Sequence, residues 1–126
     1  MALSKAKTVI VASASNAADA TTRGTMDVRT KYGGIVTMKI TNGATGPTVQ
    51  CQGRVLISHA EGATPTAASA GADWKTIWRF GGGTANSAVT EQSFVFGPEV
   101  SHVEVEYTGN TLQAVTVEAE ATTFTV

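Results

Sequence analysis

Apolar and polar residues alternate with a period of two along most of the chain, which is the pattern of β-strands with one buried face. The alternation is clearest over Ser101–Tyr107, where two valines and the tyrosine fall on one face and His102, Glu104 and Glu106 fall on the other. This arrangement predicts antiparallel sheets with one dry and one solvated face. It also predicts that His102 lies on the solvated surface.

Segments of this kind recur at short intervals and are separated by residues that favour turns. They predict strands over Thr8–Ser13, Thr25–Tyr32, Gly34–Thr41, Val49–Ser58, Trp74–Phe80, Ala88–Phe96, Val100–Tyr107 and Leu112–Glu120, with a short terminal strand over Thr122–Val126. The turn residues within 107–111 and within 32–35 predict tight hairpins. The fold class is therefore all-β: a single antiparallel β-sandwich or jelly roll of about seven to nine strands, with its strand order left open.

Composition supports strands over helices. The chain has 126 residues, which is the size of one domain, and we expect a single β-sandwich domain over 1–126. It contains 20 threonines and 14 valines but 3 leucines. Branching at Cβ favours the pleated sheet, so this balance argues against a helical bundle and a doubly wound α/β enzyme.

Two segments are small and polar, and they interrupt the alternation. Residues 14–22 and 61–72 consist mainly of Ala, Ser, Thr and Gly, which bury too little apolar surface to offset the cost of ordering them. We expect both to be flexible. A segment of this kind could also extend across a neighbouring copy and order on assembly.

The net charge of −1 is unevenly distributed along the chain. Residues 1–60 carry +5 (seven basic and two acidic groups), and residues 61–126 carry −6 (two basic and eight acidic groups). The halves could neutralise each other within one molecule, or complement each other between copies. Without a basic excess we expect no nucleic-acid partner. No apolar run approaches the ~18 residues of a membrane span, so we expect no membrane partner.

The residues do not form a catalytic or metal-binding motif. Cys51 is the only cysteine, so no intramolecular disulfide forms, and its place beside Val49 on a predicted strand favours a buried, inert thiol. Cys51 and His59 lie ~26 Å apart if that strand is extended, so they could meet only across subunits. We therefore expect no enzyme, no catalytic residues, no metal site and no cofactor.

Aromatic residues near position 78 permit two interpretations. Trp74, Trp78 and Phe80 share one face of a predicted strand. They could fill the core beside Phe94 and Phe96, or the tryptophans could be exposed and stack on sugar rings. The core interpretation is favoured because leucine is so scarce.

The opposite face of the same strand suits protein contact. Lys75 and Arg79 would flank Ile77 there, which places an apolar residue between two cations. With the basic N-terminal segment and the second low-complexity segment, the candidate interface residues are Lys5, Lys7, Glu61, Thr64, Pro65, Lys75, Ile77 and Arg79.

The C-terminal half, from WKTIWRFGGG to EAEATTFTV, resembles the small virion structural proteins of tailed bacteriophages, in particular head decoration or capsid-stabilising subunits. The resemblance lies in short length, strands rich in Ala, Thr, Gly and Val, and the lack of disulfides. It includes no diagnostic motif, so no functional residue is carried over.

The resemblance implies a non-enzymatic capsid decoration or cement subunit that stabilises the phage head by protein–protein contacts. Its implied partners are copies of itself and a major capsid or other virion protein. It would be located in the virion and assembled in the host bacterial cytoplasm. The alternatives are a tail, neck or fibre component, and a carbohydrate-binding β-sandwich module.

Overall fold

The computed structural model describes residues 2–60 and 73–126, and these residues form eight β-strands and no helix. The strands are β1 (Ser4–Asn16), β2 (Thr22–Asp27), β3 (Gly34–Asn42), β4 (Gln52–Ser58), β5 (Lys75–Gly81), β6 (Val89–Phe96), β7 (His102–Thr108) and β8 (Val115–Thr125). The prediction of an all-β fold is confirmed. The predicted strands at Leu112–Glu120 and Thr122–Val126 are one continuous strand, β8.

The strands form two four-stranded antiparallel sheets. Sheet 1 has the order β1-β8-β3-β6, and sheet 2 has the order β2-β7-β4-β5. Consecutive strands lie in opposite sheets throughout, except for β4 and β5, which are neighbours in sheet 2. This interleaved order is that of an eight-stranded jelly roll, which resolves the choice that the sequence left open.

The predicted hairpins at 107–111 and 32–35 are crossings between sheets. β7 lies in sheet 2 and β8 in sheet 1, and β2 and β3 are divided in the same way. The backbone does turn at both places, where φ is positive: 96° at Gly109, 67° at Leu112 and 129° at Gly33. Such residues show where the chain reverses, but the strand that pairs next is decided by packing.

The core lies between the two sheets and is built from alternate residues of each strand. Val36, Met38 and Ile40 of β3 are at most 1% exposed, as the stripe in the sequence predicts. They belong to one buried cluster with Val103 and Val105 of β7 and with the other inward-facing side chains. Tyr107 is also buried, and its hydroxyl donates a hydrogen bond across the sandwich to the carbonyl of Glu118.

β7 departs from the prediction of one dry and one solvated face. His102, Glu104 and Glu106, which were expected to face solvent, are 1%, 1% and 3% exposed. The reason is the position of β7 inside sheet 2, between β2 and β4. Arg23 and Arg54 from these strands bond Glu106, and Asp27 and Ser58 flank His102.

Residues 14–22, which the sequence predicts to be flexible, comprise the end of β1, a hydrogen-bonded turn and the first residue of β2. Residues 14–16 end β1, and the turn that follows is held by a buried pair of asparagines. The Asn16 side chain donates to Asn110 Oδ1 at 2.7 Å, and Asn110 donates to the carbonyls of Asn16 (3.1 Å) and Gln113 (2.9 Å). Asn110 also accepts a backbone bond from Asp19 at 2.8 Å. The polar residues that suggested flexibility thus supply hydrogen bonds. The second such segment, 61–72, lies outside the described residues.

Replacing Asn110 with alanine tests the contribution of this asparagine pair to stability. Asn110→Ala removes the bonds to β1 and to Gln113 and leaves neighbouring polar groups buried, so we expect a loss of about 2–3 kcal/mol in the free energy of unfolding. Urea denaturation measures it. Asn86→Ala is the matched control, because Asn86 is exposed and accepts a single bond from Gly46 N. Equal losses in the two variants would contradict the assignment.

Candidate functional site

The outer face of sheet 1 carries a ladder of opposite charges. Lys7 Nζ lies 2.9 Å from a Glu120 carboxylate oxygen, and Lys39 Nζ lies 3.7 Å from Glu118. The hydrogen bond to Glu120 and the negative charge of its carboxylate raise the pKa of Lys7. Glu91 of β6 stands opposite Lys39 in the β3–β6 register. Exposed pairs of this kind add little stability, so their effect is to give the face a fixed pattern of charge.

An apolar groove of about 320 Å³ lies beside this ladder, at one end of the same face. This end groove is lined by Lys5, Ile35, Val95, Phe96, Thr122 and Phe124. Val95 is 69% exposed and Ile35 is 40% exposed, and both project from the outer face. Tyr32, itself 52% exposed, extends the apolar surface by stacking on Phe124 with ring centroids 6.5 Å apart.

The predicted interface residues fall into separate places. Lys5 lines the end groove and Lys7 belongs to the charge ladder, so these two lie on one face, as exposed side chains. Glu61, Thr64 and Pro65 lie outside the described residues.

On β5 the predicted patch is divided. The register of β5 against β4 shifts between the pair Val55–Trp78 and the pair Leu56–Thr76, which makes Ile77 the extra residue of a bulge. Ile77 packs against the core, whereas Lys75 and Arg79 are exposed. Ile77 is therefore half-buried between two exposed cations, and an interface at these three residues stays a prediction.

The same bulge separates the tryptophans. Trp78 stands opposite inward-facing Val55, is 39% exposed and lies 6.3 Å from the Phe94 ring. Trp74 is 1% exposed and thus buried. The prediction that both rings share a face is wrong because it assumed an unbroken strand. A sugar platform built from both rings is not formed.

A buried ionic cluster covers the outer face of β7. Glu106 accepts from Arg23 Nε at 2.9 Å and from Arg54 Nε at 2.8 Å, one arginine on each carboxylate oxygen. Both arginines come from the basic N-terminal half and the glutamate from the acidic half, as do the pairs of the charge ladder. Neutralisation within one molecule is therefore the interpretation that the structure supports for these groups.

Glu104 lies next to this cluster, two residues before Glu106, and is 1% exposed. Burial raises the pKa of its carboxyl to about 7; the charge of Glu106 also raises it, while Arg23, Arg54 and a 3.5 Å bond from Thr25 lower it. The neighbouring His102 ring is 1% exposed, and neither of its nitrogens has a hydrogen-bond partner among the residues that the structure describes. The nearest carboxylate oxygen, on Asp27, is 3.8 Å from Nε2.

Among the residues that the structure describes, Cys51 and His59 do not form a nucleophilic pair. Cys51 is fully buried, which confirms the prediction of a buried thiol, and burial raises the pKa of that thiol to about 11. His59 is exposed. Within 2–60 and 73–126, no three His, Cys, Asp or Glu side chains are arranged to hold a metal ion. The described part of the chain also has no helix with the length and apolarity needed to cross a membrane.

Comparison with known proteins identifies the fold alone. No protein-family model matches the chain. No curated protein matches it either. Among solved structures, the VP2 subviral particle of infectious bursal disease virus has a TM-score of 0.53 at 7% identity, over 97% of this chain and 32% of that chain. The T13 particle of the same virus has a TM-score of 0.52 at 9% identity, over 96% and 31%.

A prophage protein is similar to this chain over nearly the whole length of both. SPBc2 prophage-derived YomS has a TM-score of 0.49 at 15% identity and covers 99% of this chain and 96% of that chain. This chain spans about a third of the length of the viral chains. The likeness to the viral chains shows the fold alone, a β-sandwich.

The raised pKa of Glu104 gives a pH-dependent stability. The folded carboxyl keeps its proton up to about pH 7, whereas the ordinary pKa of a glutamate is 4.5. The unfolded chain therefore binds fewer protons between these values, and the contribution of Glu104 to stability falls as pH rises from about 4.5 to 7. Below pH 4.5 both states are protonated and no penalty exists.

Glu104→Gln removes this penalty. We expect the variant to gain about 1–3 kcal/mol relative to the wild type between pH 4 and pH 8, as followed by urea denaturation across that range. Glu99→Gln, at an exposed glutamate, should show no comparable gain. A difference between Glu104→Gln and wild type that does not change with pH would refute the assignment.

Proposed function

We propose that the chain is a non-enzymatic structural protein of a bacteriophage virion: a decoration or cement subunit that binds the capsid surface and stabilises the head. The observation that carries this proposal is the outer face of sheet 1, where an apolar end groove adjoins a fixed ladder of charges. The jelly-roll fold, also found in a viral particle, supports it, as does the resemblance of the C-terminal half to head decoration proteins.

The end groove has the composition of a contact site. Exposed Val95, Ile35 and Tyr32 would lose water on binding, which is the main favourable term in protein association. Lys5 at the rim provides a positive charge for a carboxylate of the partner. The partner surface that fits is an apolar side chain with an acidic neighbour, on a major capsid or other virion protein.

The charge ladder supplies orientation. Charges at an interface set register and exclude wrong partners more than they add affinity. On this face Lys7 and Lys39 alternate with Glu118 and Glu120, so a partner with the opposite order would dock in one register. A subunit repeated over a shell needs this property. The protein would be located in the virion after assembly in the host bacterial cytoplasm.

The closest alternative is a tail, neck or fibre component, because the same surface would serve any virion partner. A carbohydrate-binding module is less well supported, since burial of Trp74 leaves no second exposed tryptophan beside Trp78. The position of the protein on the particle separates the first two possibilities.

Ile35→Lys tests the proposal on purified phage particles that contain the chain. A charge in the end groove should reduce the number of copies per particle about tenfold or more, as measured by quantitative mass spectrometry; tenfold corresponds to about 1.4 kcal/mol of binding. Leu112→Lys is the control, because Leu112 is 75% exposed and lies in the β7–β8 loop, away from the groove residues. Normal occupancy by Ile35→Lys would overturn the role of the groove.

Gold labelling of an epitope-tagged chain places it on the particle. Labels over the head, with heads that break at a lower temperature when the chain is absent, are expected for a cement subunit. Labels confined to the tail or neck would favour the alternative. Absence of the chain from purified particles would contradict both.

A further inference from the structure

Three of the four sheet edges that the described residues form are protected against pairing with another chain. β1 has two register shifts and carries Lys5 and Lys7, and β5 has a bulge and carries Lys75 and Arg79. β2 is short, with six residues. Bulges, cationic side chains and short strands are the usual means by which proteins keep sheet edges from associating.

β6 lacks all of these protections. It pairs with β3 in an unbroken register from Gly34–Phe96 to Thr41–Val89. Its eight residues include no lysine, arginine or proline, and Glu91 is its only charged residue. Val89 and Val95, near its two ends, are 58% and 69% exposed. The edge is therefore regular and largely uncharged.

The hydrogen-bond pattern shows which backbone groups of β6 face the open edge. Phe124 N donates to Gly33 O, so the odd-numbered residues of β3 bond to β8. Asn42 N donates to Ala88 O, so the even-numbered residues of β3 bond to even-numbered residues of β6. The N–H and C=O groups of residues 89, 91, 93 and 95 consequently point away from β3.

We propose that two copies of the chain associate by antiparallel pairing of their β6 strands, which joins the two copies of sheet 1 into one continuous sheet. Val89 of each copy lies opposite Val95 of the other, Glu91 lies opposite Ser93, and Gln92 meets its own equivalent on the two-fold axis. Each outward-facing residue exchanges two backbone hydrogen bonds with its opposite residue. The contact is isologous and therefore closes at two copies.

This register is favoured over its neighbours by its side-chain pairs. Outer-face residues must stand opposite outer-face residues, so the strands can slip only in steps that preserve this parity. One such step places Glu91 opposite Glu91, and like charges directly opposite are destabilising. The other places Glu91 opposite Val95 and loses both valine pairs. In the proposed register Glu91 keeps Lys39 beside it on β3 and gains the Ser93 hydroxyl of the second copy.

The pairing goes beyond the proposed virion role and does not depend on it. It uses the backbone edge of β6, whereas the shell contact uses the side chains of the end groove, to which Val95 of β6 contributes. The two-fold axis runs perpendicular to the joined sheet, so both end grooves face the same side. Ser93 and Gln92 do not line the groove, so variants at these positions test the pairing alone.

Ser93→Pro should abolish the pairing. The Ser93 N–H points to the open edge, so proline leaves the β3–β6 ladder intact while its ring blocks a second strand. Ser93→Ala is the control, since it removes the same hydroxyl, which bonds Thr37 at 2.8 Å, without blocking the edge.

Native mass is measured by light scattering. Wild type and Ser93→Ala should have twice the 13.0 kDa of one chain, and Ser93→Pro should fall twofold to the mass of one chain with an unchanged β circular dichroism spectrum. A monomeric wild type, or a folded Ser93→Pro variant with wild-type mass, would overturn the proposal.

Cysteine cross-linking tests the register and remains informative if Ser93→Pro does not fold. Gln92→Cys places two thiols on the axis at a non-hydrogen-bonded pair with Cα atoms ~4.5 Å apart, within the range of a disulfide. Ser93→Cys is the control, because its two thiols would be diagonal, with Cα atoms beyond ~7 Å. The native Cys51 is fully buried and adds no background.

Under mild oxidation, a covalent dimer from Gln92→Cys and none from Ser93→Cys is the expected result. Equal or better cross-linking of Ser93→Cys, or no cross-linking of either variant, contradicts the proposed pairing.

Discussion

The bond between Glu106 and its two arginines is the interaction on which the architecture of sheet 2 depends. β7 has side chains buried on both faces, and a glutamate without a partner could not occupy such a position, because burying an uncompensated charge costs several kcal/mol. Arg23 from β2 and Arg54 from β4 supply that compensation from both sides. Because each arginine must lie beside Glu106 to bond it, these two bonds require β2 and β4 to be the neighbours of β7, as observed.

Local patterns in the sequence locate most of the strands but not their bounds or their surroundings: the strand predicted over Thr25–Tyr32 shares only residues 25–27 with β2. The alternation over 101–107 correctly gives β7, because a strand's side chains must point to alternate faces. It does not show whether the second face meets water, since that depends on Arg23 and Arg54, which lie far away along the chain. The turn residues around Gly109 likewise mark a reversal, yet they are equally compatible with a hairpin and with the observed crossing between sheets.

The candidate site could be predicted from the sequence only in part, because its residues come from strands that are distant along the chain. Lys5 was identified as an interface residue from its charge, but the end groove also needs Ile35, Val95 and Phe124, which come together only through the order β1-β8-β3-β6. On β5, a single bulge placed Ile77 against the core and separated two tryptophans that an ideal strand would hold on one face. A bulge inserts one residue and leaves little trace in composition. The asparagine pair was missed for a related reason, because Asn16 and Asn110 become partners only when two distant loops meet.

The interleaving of the sheets has a consequence for the kinetics of folding. Only β4 and β5 are both consecutive in the chain and adjacent in a sheet. Every other strand pairs with a strand that is distant in the sequence, so the entropy of closing a long loop is lost before the stabilising contacts form. Folds dominated by such contacts take on the order of milliseconds to seconds to fold. During that interval the strands of many newly made copies are exposed to one another. Because valine and threonine favour the extended conformation, the unpaired strands of one copy can pair with those of another until the sandwich closes.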